Sequence, residues 1–454
     1  MPTETPIFGA LSRRDLLDKS ARAALSLGVL GSFGVLAGCG SDSSTGSTAA
    51  TSAGTTAAGT SIPKTTVNFT VAPAADDGLA VIGMYDHYFD DVGITIGPSA
   101  TGANYILGES LAPLLNGQVE TGSLVYEVLL QQLDTVKNVR PYLIIDTYVG
   151  HGFFAPADAQ VKDLTEFAKT AATYEQAAKE TLAQMQGKRI AVASDVVNQP
   201  YWNSLFEIGG VDPSDAERLE NTNILELLQA GKLDFGGIAN GPQYVAALEA
   251  GLKPVFLQKD QLELAEDQAA LALYVNHDSL VTTEDFYDEN YDTVLRISSV
   301  MYRILNDLLG AGEKKRMEAL ETQLPWLDAK TGTKLTPKAL GTQFENLALI
   351  RDLDQQKAFF EGQSVDNIYY SGELILKHLK KTGVLHEDHT VAEVDGAKKV
   401  WTDLMKYRAE SEELLEKLGK GSTNSQKQVI SAAQKQYDNF NYLDASRFLR
   451  SADS

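Results

Sequence analysis

A single cysteine stands in 454 residues. Cys39 sits where an apolar run, Ala23 to Ala37, gives way to a stretch rich in Gly, Ser, Thr and Ala. With no second thiol, the chain can form neither an intrachain disulfide nor a cysteine-based metal cluster. The folded part must be held by its own core. The body from Thr65 onward, roughly 390 residues, is large enough for that and predicts two domains or more.

The segment before Cys39 has a basic start and a short apolar middle. Ser12-Arg13-Arg14-Asp15-Leu16-Leu17 precedes Leu25, Leu27, Val29, Leu30, Phe33, Val35 and Leu36. The run is interrupted by glycines and falls short of the ~20 apolar residues of a membrane span. This pattern predicts an export signal over residues 1–38. The arginine pair resembles the twin-arginine motif. Asp15 and Asp18 are unusual there, so general secretion stays open as the alternative. Leu36-Ala37-Gly38-Cys39 resembles a bacterial lipobox, which implies that Cys39 is lipidated and becomes the first mature residue. Multiple acyl chains hold a protein stably at a membrane surface. Residues 39–64 then predict a flexible tether, since their composition cannot bury enough apolar surface to offset the entropy of ordering.

The formal net charge is −22, while residues 1–38 hold four basic and three acidic side chains, so the acidity lies in the body. This excludes nucleic acid as the expected partner, which calls for clustered Lys and Arg. It fits a soluble, solvated surface.

Along the body, Val67 to Ala72 alternates and predicts a first strand, followed by a helix over Leu79 to Tyr88 and a strand at Ile94-Thr95-Ile96. Strand, helix, strand is the start of an α/β domain with a parallel sheet. Two later stretches share one pattern. Leu114 to Gly122 and Leu227 to Gly236 each predict a helix end stopped by glycine, then a short strand. Each leads to an apolar helix, Leu124 to Leu133 and Gln243 to Ala250, and then to a strand opened by proline, from Arg140 and from Lys253. The repeat predicts two lobes of similar build with a cleft between them. A helix start is expected at Thr282, and amphipathic helices near 347–360, 369–381, 394–418 and 425–449.

The opening strand with Ala72-Pro73, the repeated unit, Gly187-Lys188-Arg189-Ile190-Ala191-Val192 and the Gly251-Leu252-Lys253-Pro254 turn resemble the periplasmic-binding-protein type II family, in its nitrate, sulfonate, taurine and thiamine-pyrimidine group. The resemblance covers about half the chain. An Ala-rich insertion before Gly187 and a long helical tail depart from it. It implies a two-lobed α/β fold with mainly parallel or mixed sheets, plus a helical C-terminal extension. Lobe 1 would take 65–155, lobe 2 would take 156–271, the chain would return over 272–310, and 311–454 would form the extension. It further implies a substrate-binding lipoprotein, monomeric, that delivers a small molecule to an ABC permease from outside the cell membrane. No cofactor and no metal is expected.

Ligands of parallel sheets sit at the strand C-terminal ends. The candidate contacts in lobe 1 are therefore Asp76, Asp77, Ser99, Thr101, Ser123 and Tyr126. In lobe 2 they are Ser194, Asp195, Asn198, Tyr201, Trp202 and Asn240, with Tyr201 and Trp202 suited to stacking. Each residue type also suits a helix cap or turn. The set holds no Arg or Lys, so the expected ligand leans toward a neutral, cationic or aromatic nitrogen-containing molecule. An enzyme on the same fold and a surface sensor or adhesion lipoprotein are the alternatives. His87 and His151 lack a third metal ligand at useful spacing, and His386-Glu387-Asp388-His389 predicts a solvated loop.

Overall fold

A computed structural model describes residues 60–453, except 106–108, 195–197, 266–270, 272–274 and 420–422. Cys39, the export signal, most of the tether and the candidate Asp195 lie outside the described residues.

Strands β1 (Thr65–Val71), β2 (Ile94–Gly97), β3 (Ala103–Asn104), β4 (Thr121–Val125) and β5 (Val139–Tyr148) open the first lobe. Strands β6 (Gly152–Ala155), β7 (Ile190–Ala193), β8 (Ala216–Leu219), β9 (Phe235–Ile238) and β10 (Lys253–Leu257) form the second. Strand β11 (Asn276–Thr283) returns to the first. The first sheet runs β2-β1-β4-β11-β5, with β3 also on β1, and the second runs β10-β6-β9-β7-β8. In reverse, the second order is β8-β7-β9-β6-β10, which places every strand in the slot of a first-lobe counterpart.

The match extends to direction. In each sheet the inner strands are parallel, and one antiparallel strand, β11 or β6, is inserted next to the last. That inserted strand is in each case the one delivered by the crossing from the other lobe. The repeated segments thus form β4 with β5, and β9 with β10. Gly117 and Gly231 end the preceding helices at φ 67° and 64°, a conformation that costs glycine little. This is a two-lobed α/β architecture with mixed sheets. The first crossing lies between Tyr148 and Gly152, ahead of the expected Pro156.

Local differences have local causes. The helix expected over 79–88 stops at Tyr85, and His87 takes a left-handed φ of 60° before a short helix, Tyr88–Asp91. The helix expected from Leu124 begins at Tyr126, because Leu124 and Val125 pair with Ser279 and Asp278 of β11. Thr283, not Thr282, caps the helix Glu284–Glu289, since Thr282 Oγ1 donates to Glu120 O at 2.7 Å. The insertion before Gly187 forms two helices, Leu164–Ala168 and Tyr174–Ala183, each capped by its own Asp163 or Thr173 side chain.

The extension is helical through Asp453, yet the run expected over 347–360 is helical only at Lys357–Phe360. Instead, helices Glu313–Thr331 and Pro337–Asn346 reach both lobes. Gln323 Nε2 donates to Ala75 O at 2.6 Å in lobe 1, and Gln243 Nε2 of lobe 2 donates to Thr331 O at 3.0 Å. One core therefore runs from Phe69 and Ile82 through Leu320 and Leu340 to Tyr244 and Ile224. The opposite face of the first sheet is covered by Leu129, Phe359, Ile375 and Leu376.

Candidate functional site

Three separate elements bring four carboxylates together. Asp76 and Asp77 lie in the loop after β1, Asp146 in β5 and Asp278 in β11, and none is more than 3% exposed. Asp278 pairs with Asp146 in the β5–β11 ladder. Directly opposed residues of an antiparallel pair share one face of the sheet. One carboxylate oxygen from each of Asp76, Asp77 and Asp278 lies within 4.8 Å of the others.

These groups are poorly satisfied. The Asp77 amide donates to Asp76 Oδ1 at 3.0 Å. Asp76 Oδ2, both oxygens of Asp77 and of Asp146, and Asp278 Oδ1 have no partner in good hydrogen-bond geometry. Burial pushes Asp76 up to about 6, against the pull of two backbone amides. Burial, with repulsion from Asp76, lifts Asp77 well above the carboxylate range, and the Ser123 hydroxyl offsets only part of this. Burial and the neighbouring acids do the same to Asp146 and Asp278. Two unit charges within 4.8 Å repel by roughly 3 kcal/mol at an effective dielectric of about 20.

The loop that carries Asp76 and Asp77 is held by the extension. Gln323 takes the Ala75 carbonyl, and a Cβ at Gly78 would stand 2.6 Å from Trp326 Cζ3, so only glycine permits that approach. At the loop's start, the Ala72 amide donates to Ser123 Oγ at 3.3 Å.

A second polar cluster lies at the crossing and in lobe 2. The ring nitrogens of His151, 1% exposed, face Gln258 Oε1 at 2.5 Å and Asn198 Oδ1 at 2.6 Å. Asn276 Nδ2 of β11 donates to the same Asn198 oxygen at 3.4 Å. Tyr201 lies 4.9 Å and Trp202 5.8 Å from the His151 ring. Tyr148 joins the two clusters. Its hydroxyl donates to Ala239 O at 3.0 Å and its ring stands 5.4 Å from His151. Burial, then the charges of Asp76, Asp278 and Asp146, drive its phenol well above the usual range.

The structure thus draws Asp76, Asp77 and Ser123 into one cluster, and Asn198, Tyr201 and Trp202 into the other. Trp202 is fully buried between Phe153 and His151, with its indole Nε1 unpartnered. Asn240 caps no helix with its side chain, and its Oδ1 is buried and unpartnered. The other candidates point elsewhere. Ser99 donates to Gly102 O in an exposed turn, and Thr101 belongs to that turn. Tyr126 packs into the core under the extension, against Gly372. Ser194 is exposed and bonds Glu220 at 3.4 Å. His87 is exposed beside Asp90, and His389 is held between Asp134 and Glu393.

Sequence reasoning missed Asp146, Asp278, Tyr148 and Gln258. Asp146 carried a signal, as the charge that directly follows the apolar run Leu143-Ile144-Ile145 of an expected strand. Asp278 carried none until the ladder placed it opposite.

No family model and no curated protein matches this chain. It is similar to the ligand-binding component of an ABC-type import system from Staphylococcus aureus with zinc bound, at 8% identity over 75% of this chain and 98% of that one, TM-score 0.48. It is similar to the alkanesulfonate-binding protein SsuA from Xanthomonas axonopodis pv. citri bound to MOPS, at 12% identity over 74% and 99%, TM-score 0.46. The desulfurization enzyme DSZB also matches, at 12% identity over 76% and 100%, TM-score 0.47. Likeness at this level carries no argument for function, and the fold rests on the strand order above.

Proposed function

We propose that this chain is the solute-binding component of an ABC importer. In this reading it is exported, anchored at the outer face of the cell membrane through a lipidated Cys39, and closes two lobes on a small molecule that it passes to a permease. It binds and releases without turnover. One observation supports the reading above the rest. Two sheets with the same strand order meet at their crossings, and buried polar groups with unfilled hydrogen-bonding capacity gather there. Open α/β sheets take their ligands outside the carboxyl ends of the strands, and lobes joined by such crossings close by hinge motion. Among the described residues, no helix is long and apolar enough to cross a membrane.

A thermal-shift screen of the full-length chain in mild detergent tests this. The panel holds diamines, metal ions, aminopyrimidines, sulfonates, nitrate and neutral sugars. A ligand at ~1,000 times its Kd adds about 4 kcal/mol, which moves the midpoint by several degrees. A shift with one class and no chemical change in the compound is the expected result. Turnover of the compound would favour an enzyme. Silence across the panel, with tight binding to a protein partner, would favour a sensor or adhesion role. Labelled palmitate should enter the wild-type chain in a bacterial host and be lost in Cys39→Ala.

A further inference from the structure

We propose that the solute is a compact cation, bound where Asp76, Asp77, Asp146 and Asp278 converge. This rests on the solute-binding reading and names the chemical class that the same site takes.

Acidic side chains in proximity do not by themselves make a site, and at the surface they are ordinary. Here the three that share a centre, Asp76, Asp77 and Asp278, are at least 97% buried, with oxygens left unpartnered. A second observation comes from a different strand. Asp146 is fully buried, neither of its oxygens has a partner in good hydrogen-bond geometry, the Asp278 amide offsets only part of the cost of its burial, and its pairing with Asp278 puts it on the same face of the sheet. Among the described residues, the charges that act most strongly on these groups are their own and that of Glu127. Glu127 is itself engaged with the amide and ring of His277, at 2.8 and 2.7 Å.

Buried carboxylates require a countercharge or a proton. A protein that kept four of them only for stability would be better served by neutral residues. Convergence of the loop after β1 with both lobe-joining strands gives the arrangement a use. A cation at this point neutralises groups from the crossing strands and the lobe-1 loop together. Opening of the lobes would return those groups to water and weaken its hold. The spacing suits two sources of the same chemistry. A hard divalent ion takes six or more oxygens at about 2–2.6 Å. A primary ammonium directs three donors to three acceptors. The nearby ring of Tyr148 adds aromatic surface of the kind that favours organic cations.

The test is titration calorimetry on the full-length chain in mild detergent, dialysed against chelator and then freed of it. The probes, used separately, are calcium, manganese, putrescine and spermidine, with nitrate, methanesulfonate and maltose for contrast. Saturable binding by a cation is expected, and its Kd should weaken at least a hundredfold in Asp77→Asn and in Asp278→Asn. Glu387→Gln, at an exposed carboxylate near Asp134 and His389, should leave it unchanged. Melting curves of each variant without cation confirm folding, and Asp278→Glu provides a charge-keeping variant that should retain part of the affinity. Binding of metal ions with the amines silent assigns an ion as the source, and the reverse assigns an organic ammonium. Cation binding that survives both Asp→Asn changes, or is lost in Glu387→Gln, overturns the site. Binding of an anion or maltose with every cation silent overturns the cation assignment alone and leaves solute capture standing. Silence from all probes, extended to the full thermal-shift panel, overturns both.

Discussion

Asp146 and Asp278 are direct partners in the antiparallel ladder between β5 and β11, the strands that leave lobe 1 and return to it. Like charges directly opposed across a ladder are destabilising, and here both are buried. The pair therefore costs the protein stability wherever neither a cation nor a proton neutralises it. Asp146→Asn should raise the stability of the cation-free chain at neutral pH by about 1–2 kcal/mol. Urea unfolding of the chelator-treated protein reads this directly, and a loss of stability would show that the pair is already neutralised within the fold.

The last helix, Tyr442–Asp453, is fastened to lobe 1 by one buried ion pair. Arg296 donates from Nε and Nη2 to both carboxylate oxygens of Asp444, at 2.8 and 2.9 Å, and Asn441 bonds the same carboxylate. Removing one partner of such a pair strands the other charge. Asp444→Ala should cost about 3–5 kcal/mol in chemical denaturation. Replacing both residues by apolar ones, Arg296→Met with Asp444→Leu, should cost much less.

His389 links the loop at Asp134 to the extension. Its Nε2 lies 3.0 Å from Asp134 and its Nδ1 2.8 Å from Glu393. Burial pulls the imidazole down, but its two carboxylate partners outweigh that and raise it above 6.5. The hydrogen bond from His389 holds Asp134 down near 2 and Glu393 below its usual 4.5. A depressed acid stabilises above its unfolded pKa, and this is lost as pH falls through the folded value. A raised histidine stabilises below its unfolded pKa, and this is lost as pH rises through the folded value. All three contributions are complete only between 4.5 and 6.5. His389→Ala should therefore lower the melting midpoint most at about pH 5–6. The difference should shrink toward acid and toward alkaline pH, and a pH-independent loss would contradict the linkage.

Gly122 faces Thr70 in the β1–β4 pairing, and a Cβ there would fall 1.5 Å from Thr70 Oγ1. The two strands lie side by side immediately before the Asp76 loop and Ser123. Gly122→Ala should cost about 1–3 kcal/mol through overpacking. Thr70→Ala in the same chain should recover part of it, because it removes the hydroxyl but leaves a Thr70 Cβ contact at 2.8 Å. A melting series over the two singles and the double measures the coupling.

The α/β class, the twofold repeat and the helical tail were legible in the sequence. Alternation marked β1, glycines marked the helix ends at 117 and 231, and the repeated pattern anticipated two lobes of similar build, whose common strand order the structure then supplied. Those features arise from the periodicity of side chains along a local backbone, which any window of residues carries. The sites were less legible. Asp76 and Asp77 could be read as polar residues after a strand, but so could Ser99 and Thr101, which end in an exposed turn. Ser123 lies within β4 and Tyr126 directly after it, yet the Tyr126 ring turns into the core beneath the extension.

What the sequence determined by itself was the set of strands and helices and the near absence of thiols. The tertiary structure alone decided which acids meet. Asp76 and Asp278 are two hundred residues apart, and nothing local to either announces the other. Their meeting depends on the register of β11 against β5 and β4. A slip of one residue would turn Asp278 to the opposite face and bring His277 in its place. It depends as well on the helix Glu313–Thr331, which holds the Asp76 loop through Gln323 and Trp326 from far along the chain. Long-range pairing and packing set those positions, and a sequence read in local windows does not contain them.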